Sequence, residues 1–397
     1  MHTCPSNSSG VPPISHAFTA ALLAVALLAP APAAAQRQRP AATVRSPEVH
    51  ADRTITFRVF APSAHLVSVG GDMMQDQPRR PMTRDSAGVW SVTLGPFAPD
   101  LYDYTFRIDD VIVPDPANPS LTLGPRAAQS LIEVPGDSAE LWDARDVPHG
   151  TVHINWYRSD AIGGLRAVYV YTPPGYEGGS ERYPVLYLLH GAGFTQEGWT
   201  TTGRANFILD NLIAEGKARP MVVVMPYGHP QTATTIGLNE PMRRDRSLVA
   251  KDLIQSVIPL IERTYRVDSD ADHRAIAGFS MGGNQSLTIG LTHPALFHWV
   301  AGLSAAIPGR RAVLQEAFAE VLDHPDRTNR TFRLLWTACG TGDRVWFPPN
   351  ELFAGLLDAR GVHHTFVTTP GAHQWQVWRR DLIALAPLLF AAPHGSR

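Results

Sequence analysis

The pentapeptide GFSMG at residues 278–282 constrains this chain more than any other feature of its sequence. It follows a short apolar run at residues 275–277 and precedes a segment of helical character at residues 283–291. A serine between two glycines at a strand-to-helix junction is typical of a nucleophile elbow, because the sharp turn leaves little room for side chains. Such an elbow lifts the serine hydroxyl clear of the sheet, so we expect Ser280 to be a catalytic nucleophile.

A serine nucleophile needs a base and an acid, and in a strand–elbow–helix fold both follow the serine along the chain. His373 lies in a loop after a predicted strand, and Asp343 directly follows an earlier predicted strand. Catalytic groups collect at the carboxyl ends of parallel strands. We therefore predict that Ser280, Asp343 and His373 form a catalytic triad. Asp358 is the alternative acid, although it falls within a predicted helix.

An oxyanion requires two backbone N–H donors beside the nucleophile. Met281 follows the serine and is predicted to supply one donor. The HGAG loop that follows a buried apolar strand is predicted to supply the other, with Ala192 as the first choice and Gly191 as the alternative. His190 precedes the serine, which is the wrong order for the base, so we expect it to make a structural hydrogen bond.

Aromatic side chains lie close to these motifs in the sequence. The candidates for an aromatic acyl pocket are Trp199, Trp346, Phe347, Trp375 and Trp378, and core packing is an equal alternative for each of them. The polar loop at residues 228–244 contains two adjacent arginines, Arg243 and Arg244. They are expected either to contact an acidic sugar or to be solvated. No metal-ligand spacing and no phosphate-binding glycine loop appears, so we expect neither a metal nor a cofactor.

The first residues of the chain resemble an export signal. Residues 17–29 are continuously apolar, too few to span a bilayer comfortably, and an Ala-Ala-Ala cleavage sequence follows at residues 33–35. We predict a signal peptide at residues 1–35 and a periplasmic or secreted protein that does not contact the membrane after cleavage. The segment before the apolar run lacks Lys and Arg, and a disordered Ala/Pro tail is the alternative.

The length of 397 residues suits two domains. The net charge of -2 does not indicate a surface that binds nucleic acid. After a flexible leader at residues 36–46, residues 47–136 show short alternating strands that indicate an immunoglobulin-like β-sandwich. Residues 137–163 are predicted to be a linker and the start of the second domain. Residues 164–392 alternate buried strands with helices, which predicts an α/β-hydrolase fold. The sandwich aromatics are expected in its core rather than on a sugar-binding platform: Trp90, Tyr102 and Tyr104.

Several segments together resemble a known group. YPVLYLLHGAGFTQEGWT, VVVMPYG, RAIAGFSMGG, CGTGD and GAHQWQVWR are similar to the esterase-D-like enzymes, which include feruloyl and acetylxylan esterases and enterochelin-type esterases. TFRVFAPSAHLVSVGGD and VIVPDPANP resemble the early-set immunoglobulin-like domain related to family-48 carbohydrate-binding modules. The resemblance implies a serine esterase whose substrate is a carbohydrate-linked ester, feruloyl or acetyl on plant cell-wall polysaccharide, and the predicted signal peptide adds export. It weakly implies glycan contact by the first domain.

Three other functions remain open at this point. The first is a siderophore esterase of the enterochelin type, and the second is an acyltransferase in which a sugar hydroxyl replaces water. The third is a glycan-binding protein without catalysis, which the apparently intact triad disfavours.

Overall fold

The structure is a computed structural model that describes residues 44–74, 77–124, 127–231 and 247–391. The predicted signal peptide at residues 1–35 lies outside the described residues, as do most of the leader and the pair Arg243 and Arg244. Within the described part of the chain, no helix is both long and apolar enough to cross a bilayer.

The first domain consists of two antiparallel sheets packed face to face, in the orders β1-β2-β6-β5 and β4-β3-β7-β10-β9, with β8 also paired to β7. The sequence prediction of core positions for Trp90, Tyr102 and Tyr104 is confirmed, because all three are buried between the sheets. The strands are β1 (Glu48–Val49), β2 (Ile55–Phe60), β3 (Val67–Gly71), β4 (Arg80–Pro81), β5 (Thr83–Arg84), β6 (Val89–Leu94), β7 (Asp100–Ile108), β8 (Val111–Val113), β9 (Leu121–Leu123) and β10 (Ala128–Val134).

The second domain is built on an eight-stranded sheet in the order β11-β12-β14-β13-β15-β16-β17-β18. The pairs β11–β12 and β12–β14 are antiparallel and the others are parallel. The central strands β13, β14, β15 and β16 are buried along their whole length, because helices cover both faces of the sheet. The strands are β11 (Thr151–Ser159), β12 (Gly164–Thr172), β13 (Val185–Leu189), β14 (Val222–Pro226), β15 (Arg274–Gly278), β16 (Trp299–Leu303), β17 (Leu334–Gly340) and β18 (Thr365–Thr369).

Helices pack on both faces of this sheet and bury a separate apolar cluster on each. A π-helical segment, Leu253–Val257, joins α3 to α4, and short 3-10 turns lie at Asp72–Met74, Ala271–His273 and Ala386–Leu388. The predicted fold class, an α/β-hydrolase domain preceded by an immunoglobulin-like sandwich, is confirmed. The helices are α1 (Gly198–Thr201), α2 (Ala205–Ala214), α3 (Ser247–Asp252), α4 (Ile258–Thr264), α5 (Met281–Thr292), α6 (Arg311–Ala317), α7 (Ala319–Leu322), α8 (Pro325–Thr331), α9 (Phe347–Ala359) and α10 (Trp375–Leu385).

Two strands of the large sheet have no counterpart in the sequence prediction. Strand β11 lies inside the predicted linker and forms an edge of the sheet, where it pairs on one side only with β12. Its side chains are largely exposed, including Ile154 and Trp156, so it lacks the continuous apolar pattern of a buried strand. Strand β16 is fully buried but short, and a short apolar run does not by itself distinguish a strand from a helix.

The two domains meet along helix α10. Arg379 is fully buried and donates hydrogen bonds to the Asp100 carboxylate and to the Leu101 carbonyl, both on β7 of the sandwich. Arg380 donates to the other oxygen of Asp100 at 2.8 Å, and Gln376 donates to the Leu101 carbonyl at 3.0 Å. A buried cation is stable only when it is paired and hydrogen-bonded, so these contacts fix α10 against the sandwich.

Candidate active site

Ser280 lies at the turn between β15 and α5, with φ 54° and ψ -116°. This left-handed region is unfavourable for a side-chain-bearing residue and costs about 1–3 kcal/mol. The flanking glycines are required by space, because a Cβ would lie 2.7 Å from the Leu189 carbonyl oxygen at Gly278 and 2.5 Å from it at Gly282. The GFSMG sequence therefore produces a tight turn that holds the serine side chain above the carboxyl edge of the sheet.

The structure brings together the serine, histidine and aspartate that the sequence predicts. The Nε2 atom of His373 lies 2.9 Å from the Ser280 Oγ, and its Nδ1 lies 2.6 Å from Oδ2 of Asp343. The Asp343 side chain is buried, and its Oδ1 accepts a hydrogen bond from the Trp346 amide at 2.9 Å. This pattern favours the tautomer in which Nδ1–H of His373 donates to the carboxylate and Nε2 accepts from the serine hydroxyl.

The loops that carry Asp343 and His373 are bonded to each other. The Thr341 amide donates to the Thr369 carbonyl at 2.9 Å, and the Gly342 amide donates to the Gly371 carbonyl at 2.8 Å. Because β17 and β18 are parallel neighbours, their carboxyl ends deliver both loops to the same edge of the sheet. The spacing of acid and base is thus set by backbone hydrogen bonds rather than by the side chains alone.

The backbone N–H groups of Met281 and Ala192 flank the serine region without an acceptor among the described residues. The Met281 amide begins α5, where the first N–H groups of a helix have no intrahelical partner. The Ala192 loop is held by His190, whose Nδ1 bonds the Gly191 carbonyl at 2.8 Å and whose Nε2 accepts from the Gly228 amide at 2.9 Å. Burial lowers the pKa of His190 to about 3, so its ring is neutral and structural.

A buried polar network supports this loop from behind. Arg166 is paired with Asp252 at 3.0 Å and donates to the His229 carbonyl at 2.8 Å. Gln285 on α5 donates to the Gly228 carbonyl at 2.8 Å. The segment that holds His190 is therefore tied both to the sheet and to the elbow helix.

Ser280 and His373 open into a cavity of about 330 Å³. Its wall combines the loop at residues 191–194, aromatic rings and two carboxyl groups from the sandwich. Among the described residues, no cluster of three or more His, Cys, Asp or Glu side chains is placed to hold a metal ion. The side chains that give the cavity its chemistry are Phe194, Trp375, Trp378, Asp72 and Asp103.

The four tryptophans that the sequence singles out occupy different places. Trp375 and Trp378 line the cavity, although both side chains are almost fully buried. Trp346 is half-buried with its ring 6.4 Å from that of His373, and it is not part of the cavity wall. Trp199 is fully buried, and its Nε1 donates to the Leu189 carbonyl at 3.1 Å. It packs edge-on against Phe279 at 5.3 Å, so it supports the cavity from behind and does not reach its surface.

Three cavity residues were not identified from the sequence. Phe194 directly follows the HGAG motif, so its neighbourhood could have indicated it. Asp72 follows β3 and Asp103 lies within β7, both far from any catalytic motif in the sequence. Only the packing of the sandwich against α10 brings them to the site, and no local pattern signals that contact.

Asp72 and Asp103 form a reciprocal pair. The Asp103 amide donates to Oδ1 of Asp72 at 2.9 Å, and the Asp72 amide donates to Oδ1 of Asp103 at 3.3 Å. Gln376 of α10 donates to Oδ2 of Asp72 at 2.9 Å. Burial raises the pKa of Asp103 to about 6, and burial together with the charge of Asp103 raises the pKa of Asp72 well above its ordinary value. The cavity therefore holds two carboxyl groups whose ionised forms are disfavoured by burial.

Two family profiles match this chain. The family profile described as "Putative esterase" matches residues 159–389, and the profile described as "Carbohydrate-binding module 48 (Isoamylase N-terminal domain)" matches residues 44–117. An endo-1,4-beta-xylanase/feruloyl esterase of Xylanibacter ruminicola is 31% identical over 353 residues, which cover 87% of this chain. This chain spans only 46% of the length of that relative.

Solved structures show the same fold. A ferulic acid esterase is 28% identical with a TM-score of 0.53, and the match covers 61% of this chain and 98% of that one. The enterobactin esterase of Shigella flexneri is 20% identical with a TM-score of 0.63, and covers 85% of this chain and 93% of its own. That match extends over most of both domains of this chain. This chain thus belongs to the esterase family, with a domain of the module-48 family in front of its esterase domain.

Proposed function

We propose that this protein is a serine carboxylic-ester hydrolase in which Ser280, His373 and Asp343 act as the catalytic triad. The observation that carries the proposal is the continuous chain of hydrogen bonds, 2.9 Å from serine to histidine and 2.6 Å from histidine to aspartate, at a cavity. A buried aspartate in this position holds the imidazole in the reactive tautomer and stabilises the imidazolium.

The first half of the reaction forms an acyl-enzyme. Nε2 of His373 takes the hydroxyl proton as Oγ of Ser280 attacks the ester carbonyl carbon. The N–H groups of Met281 and Ala192 donate to the oxygen that becomes negative. When the tetrahedral species collapses, the bond to the leaving alcohol breaks and the imidazolium returns the proton to that alcohol.

The second half releases the acid. A water molecule enters, loses its proton to Nε2 of His373 and attacks the acyl carbon. The same two N–H groups hold the second oxyanion, and Ser280 leaves with the proton from the imidazolium. Both halves use one base and one oxyanion site.

We further propose that the substrate is a hydroxycinnamoyl or acetyl ester on a plant polysaccharide, feruloyl being the first choice. The names of the Xylanibacter relative and of the 28% identical ferulic acid esterase support this choice. The rings of Phe194, Trp375 and Trp378 support an aromatic acyl group in the cavity, because ring pairs favour edge-to-face packing. Export through the predicted signal at residues 1–35 would place the enzyme where polysaccharide is accessible.

The test is hydrolysis by the purified protein of four esters, with Ser280→Ala as the matched control. The panel is methyl ferulate, p-nitrophenyl acetate, acetylated xylan and a catechol siderophore triester. Release of ferulate or of xylan acetate that Ser280→Ala abolishes supports the proposal. The variant should lose activity by a factor of about 10⁴ or more, because a triad acts as a unit.

Other outcomes overturn parts of the proposal. If the protein hydrolysed only the siderophore, its substrate would be a siderophore ester used in iron uptake rather than a polysaccharide ester. If acyl transfer to an added sugar were faster than hydrolysis, the natural acceptor would be a sugar hydroxyl rather than water. Activity that persists in Ser280→Ala would exclude the triad.

A further inference from the structure

The carboxyl group of Asp381, on α10, takes no part in the reaction proposed above. It is fully buried, and its Oδ1 accepts a hydrogen bond from the Thr369 hydroxyl at 2.5 Å. Its Oδ2 has no hydrogen-bond partner among the described residues. A buried polar group with so few partners costs free energy, which favours a role other than stabilising the fold.

The bond between Thr369 and Asp381 closes the loop that carries His373. Thr369 is the last residue of β18, and α10 begins at Trp375, so the loop between them is residues 370–374. Asp381 lies further along α10 and reaches back to the residue at which the loop starts. The strand before His373 and the helix after it are therefore joined by a side-chain hydrogen bond as well as by the chain itself.

Thr369 also joins this loop to the loop that carries the acid. Its carbonyl oxygen accepts from the Thr341 amide at 2.9 Å, while its hydroxyl donates to Asp381. One residue thus holds α10 on one side and the loop of Asp343 on the other. The His373–Asp343 contact of 2.6 Å depends on the relative position of these two loops. In an enzyme, a displacement of about 1 Å can lower the rate about 10²-fold.

The protonation state of Asp381 fits a neutral hydrogen-bond partner. Burial raises its pKa to about 7, against the opposing effects of the Thr369 hydroxyl and the Arg380 charge. Below that pH the group is mostly the uncharged acid, whose carbonyl oxygen accepts from Thr369. Asparagine has the same shape and also offers a carbonyl oxygen, so Asp381→Asn conserves the contact. Thr369→Val keeps nearly the same volume and removes the contact.

We propose that Asp381 is a positioning residue of the triad, which fixes the base of the loop that carries His373 through the Thr369 hydroxyl. Asp381 does not line the cavity at Ser280, so it acts through this loop and not on the substrate. The inference rests on the esterase function proposed above. It gives α10 an attachment to the sheet of its own domain, in addition to its contacts with the sandwich.

The first test measures steady-state hydrolysis of p-nitrophenyl acetate at pH 6. Thr369→Val should lower kcat about three- to tenfold and change KM less than about twofold, because the base is displaced while the cavity keeps its walls. Asp381→Leu should have a similar effect. The double variant should lose no more than the larger single one, since both substitutions break the same bond. Asp381→Asn should keep at least about half of kcat, because the carbonyl acceptor remains.

Thr328→Val is the matched control. Thr328 is a buried threonine of α8 whose hydroxyl donates to the Val321 carbonyl at 3.1 Å, and neither residue lines the cavity. The control should shift the denaturant midpoint by about as much as Thr369→Val and leave kcat within about 1.5-fold of the unaltered protein. If Asp381 only stabilised the fold, the two valine variants would have the same kcat.

Covalent labelling separates this proposal from the choice of substrate. With diisopropyl fluorophosphate, Oγ of Ser280 bonds to phosphorus, the P–F bond breaks, fluoride leaves and Nε2 of His373 takes the hydroxyl proton. The labelling rate should fall about three- to tenfold in Thr369→Val and stay within about twofold in Asp381→Asn. This result supports the positioning role even if no ester in the panel is hydrolysed. If Ser280 of the unaltered protein were not labelled, the triad and the positioning role would both be wrong.

Three other outcomes overturn the positioning role and leave the esterase function standing. The first is an equal labelling rate in the unaltered protein and in Thr369→Val. The second is a rise in KM with unchanged kcat in Thr369→Val, which would place the effect in the cavity. The third is a loss in Asp381→Asn as large as that in Thr369→Val, although the contact is kept. If Asp381→Leu fails to fold, Thr369→Val and Asp381→Asn decide the question alone.

Discussion

The cavity at Ser280 has two walls of different origin and chemistry. The esterase domain supplies the serine, the histidine and the aromatic rings, while the sandwich supplies Asp72 and Asp103. On the esterase side the buried carboxylate of Asp343 receives donors from a histidine and from backbone amides. On the sandwich side Asp72 and Asp103 face each other, and their pKa values are raised. The two walls therefore treat buried carboxyl groups differently: donors surround Asp343, whereas Asp72 and Asp103 lie against each other.

The largest expected effect on activity comes from replacing Asp343, the buried acid of the esterase domain. Asp343→Asn should lower kcat by a factor of about 10⁴, because the amide cannot hold His373 in the required tautomer. The loss should be the same for methyl ferulate and acetylated xylan, since both use the same bond-making groups. Steady-state kinetics on both esters measures it. A loss confined to one of them would contradict the role of Asp343 in the triad.

The junction between the walls can be weakened without touching the cavity. Arg379→Met removes a fully buried partner of Asp100 and should lower the free energy of unfolding by about 3 kcal/mol. Denaturant titration measures this change.

Arg380→Met is the matched control, because Arg380 bonds the same carboxylate from a side chain that is 41% exposed. It should cost less than about 1 kcal/mol. Equal effects of the two substitutions would mean that burial at this junction does not determine its strength.

The smallest expected effect is a pH dependence of the sandwich wall. Burial raises the pKa of Asp103 to about 6, against the opposing influences of the Asp72 amide and the Arg379 charge. A carboxyl group whose pKa is higher in the folded than in the unfolded chain stabilises the fold below its unfolded-state pKa, and this contribution is lost as the pH rises through the folded-state pKa. The free energy of unfolding should therefore fall by up to about 1 kcal/mol between pH 5 and 7 because of this group. Denaturant titration at both pH values measures it, and an equally large fall in Asp103→Asn would contradict the assignment to Asp103.

The residues that the esterase domain contributes to the site could be predicted from the sequence, because each of them belongs to a short motif or follows a recognisable strand. The elbow needs two glycines beside a serine, and the loops of Asp343 and His373 each follow a strand that is recognisable by itself. Parallel strands then bring these loops to one edge of the sheet. A motif, a strand and a rule of chain order therefore suffice to place these residues.

The remaining parts could not be read in the same way. Trp199 and Trp375 both lie near motif loops, yet only Trp375 reaches the cavity, since the choice depends on which ring packs behind the other. Asp103 sits on a strand whose neighbours form the sandwich core. Its role at the cavity arises from the docking of one domain on another, which sequence patterns do not encode. Strand β11 was assigned to a linker because an exposed edge strand lacks the apolar run of a buried one.

The attachment of α10 to the sandwich limits how this protein can be rearranged. The loop that carries His373 runs directly into α10, whose inner face is bonded to Asp100 and Leu101. Deleting the first domain would leave the Arg379 guanidinium and the Gln376 amide without those partners, in the helix that begins two residues after His373. The two domains therefore do not behave as interchangeable modules. A chimera with a foreign first domain would need a carboxylate at the position of Asp100 to pair with the buried Arg379 guanidinium.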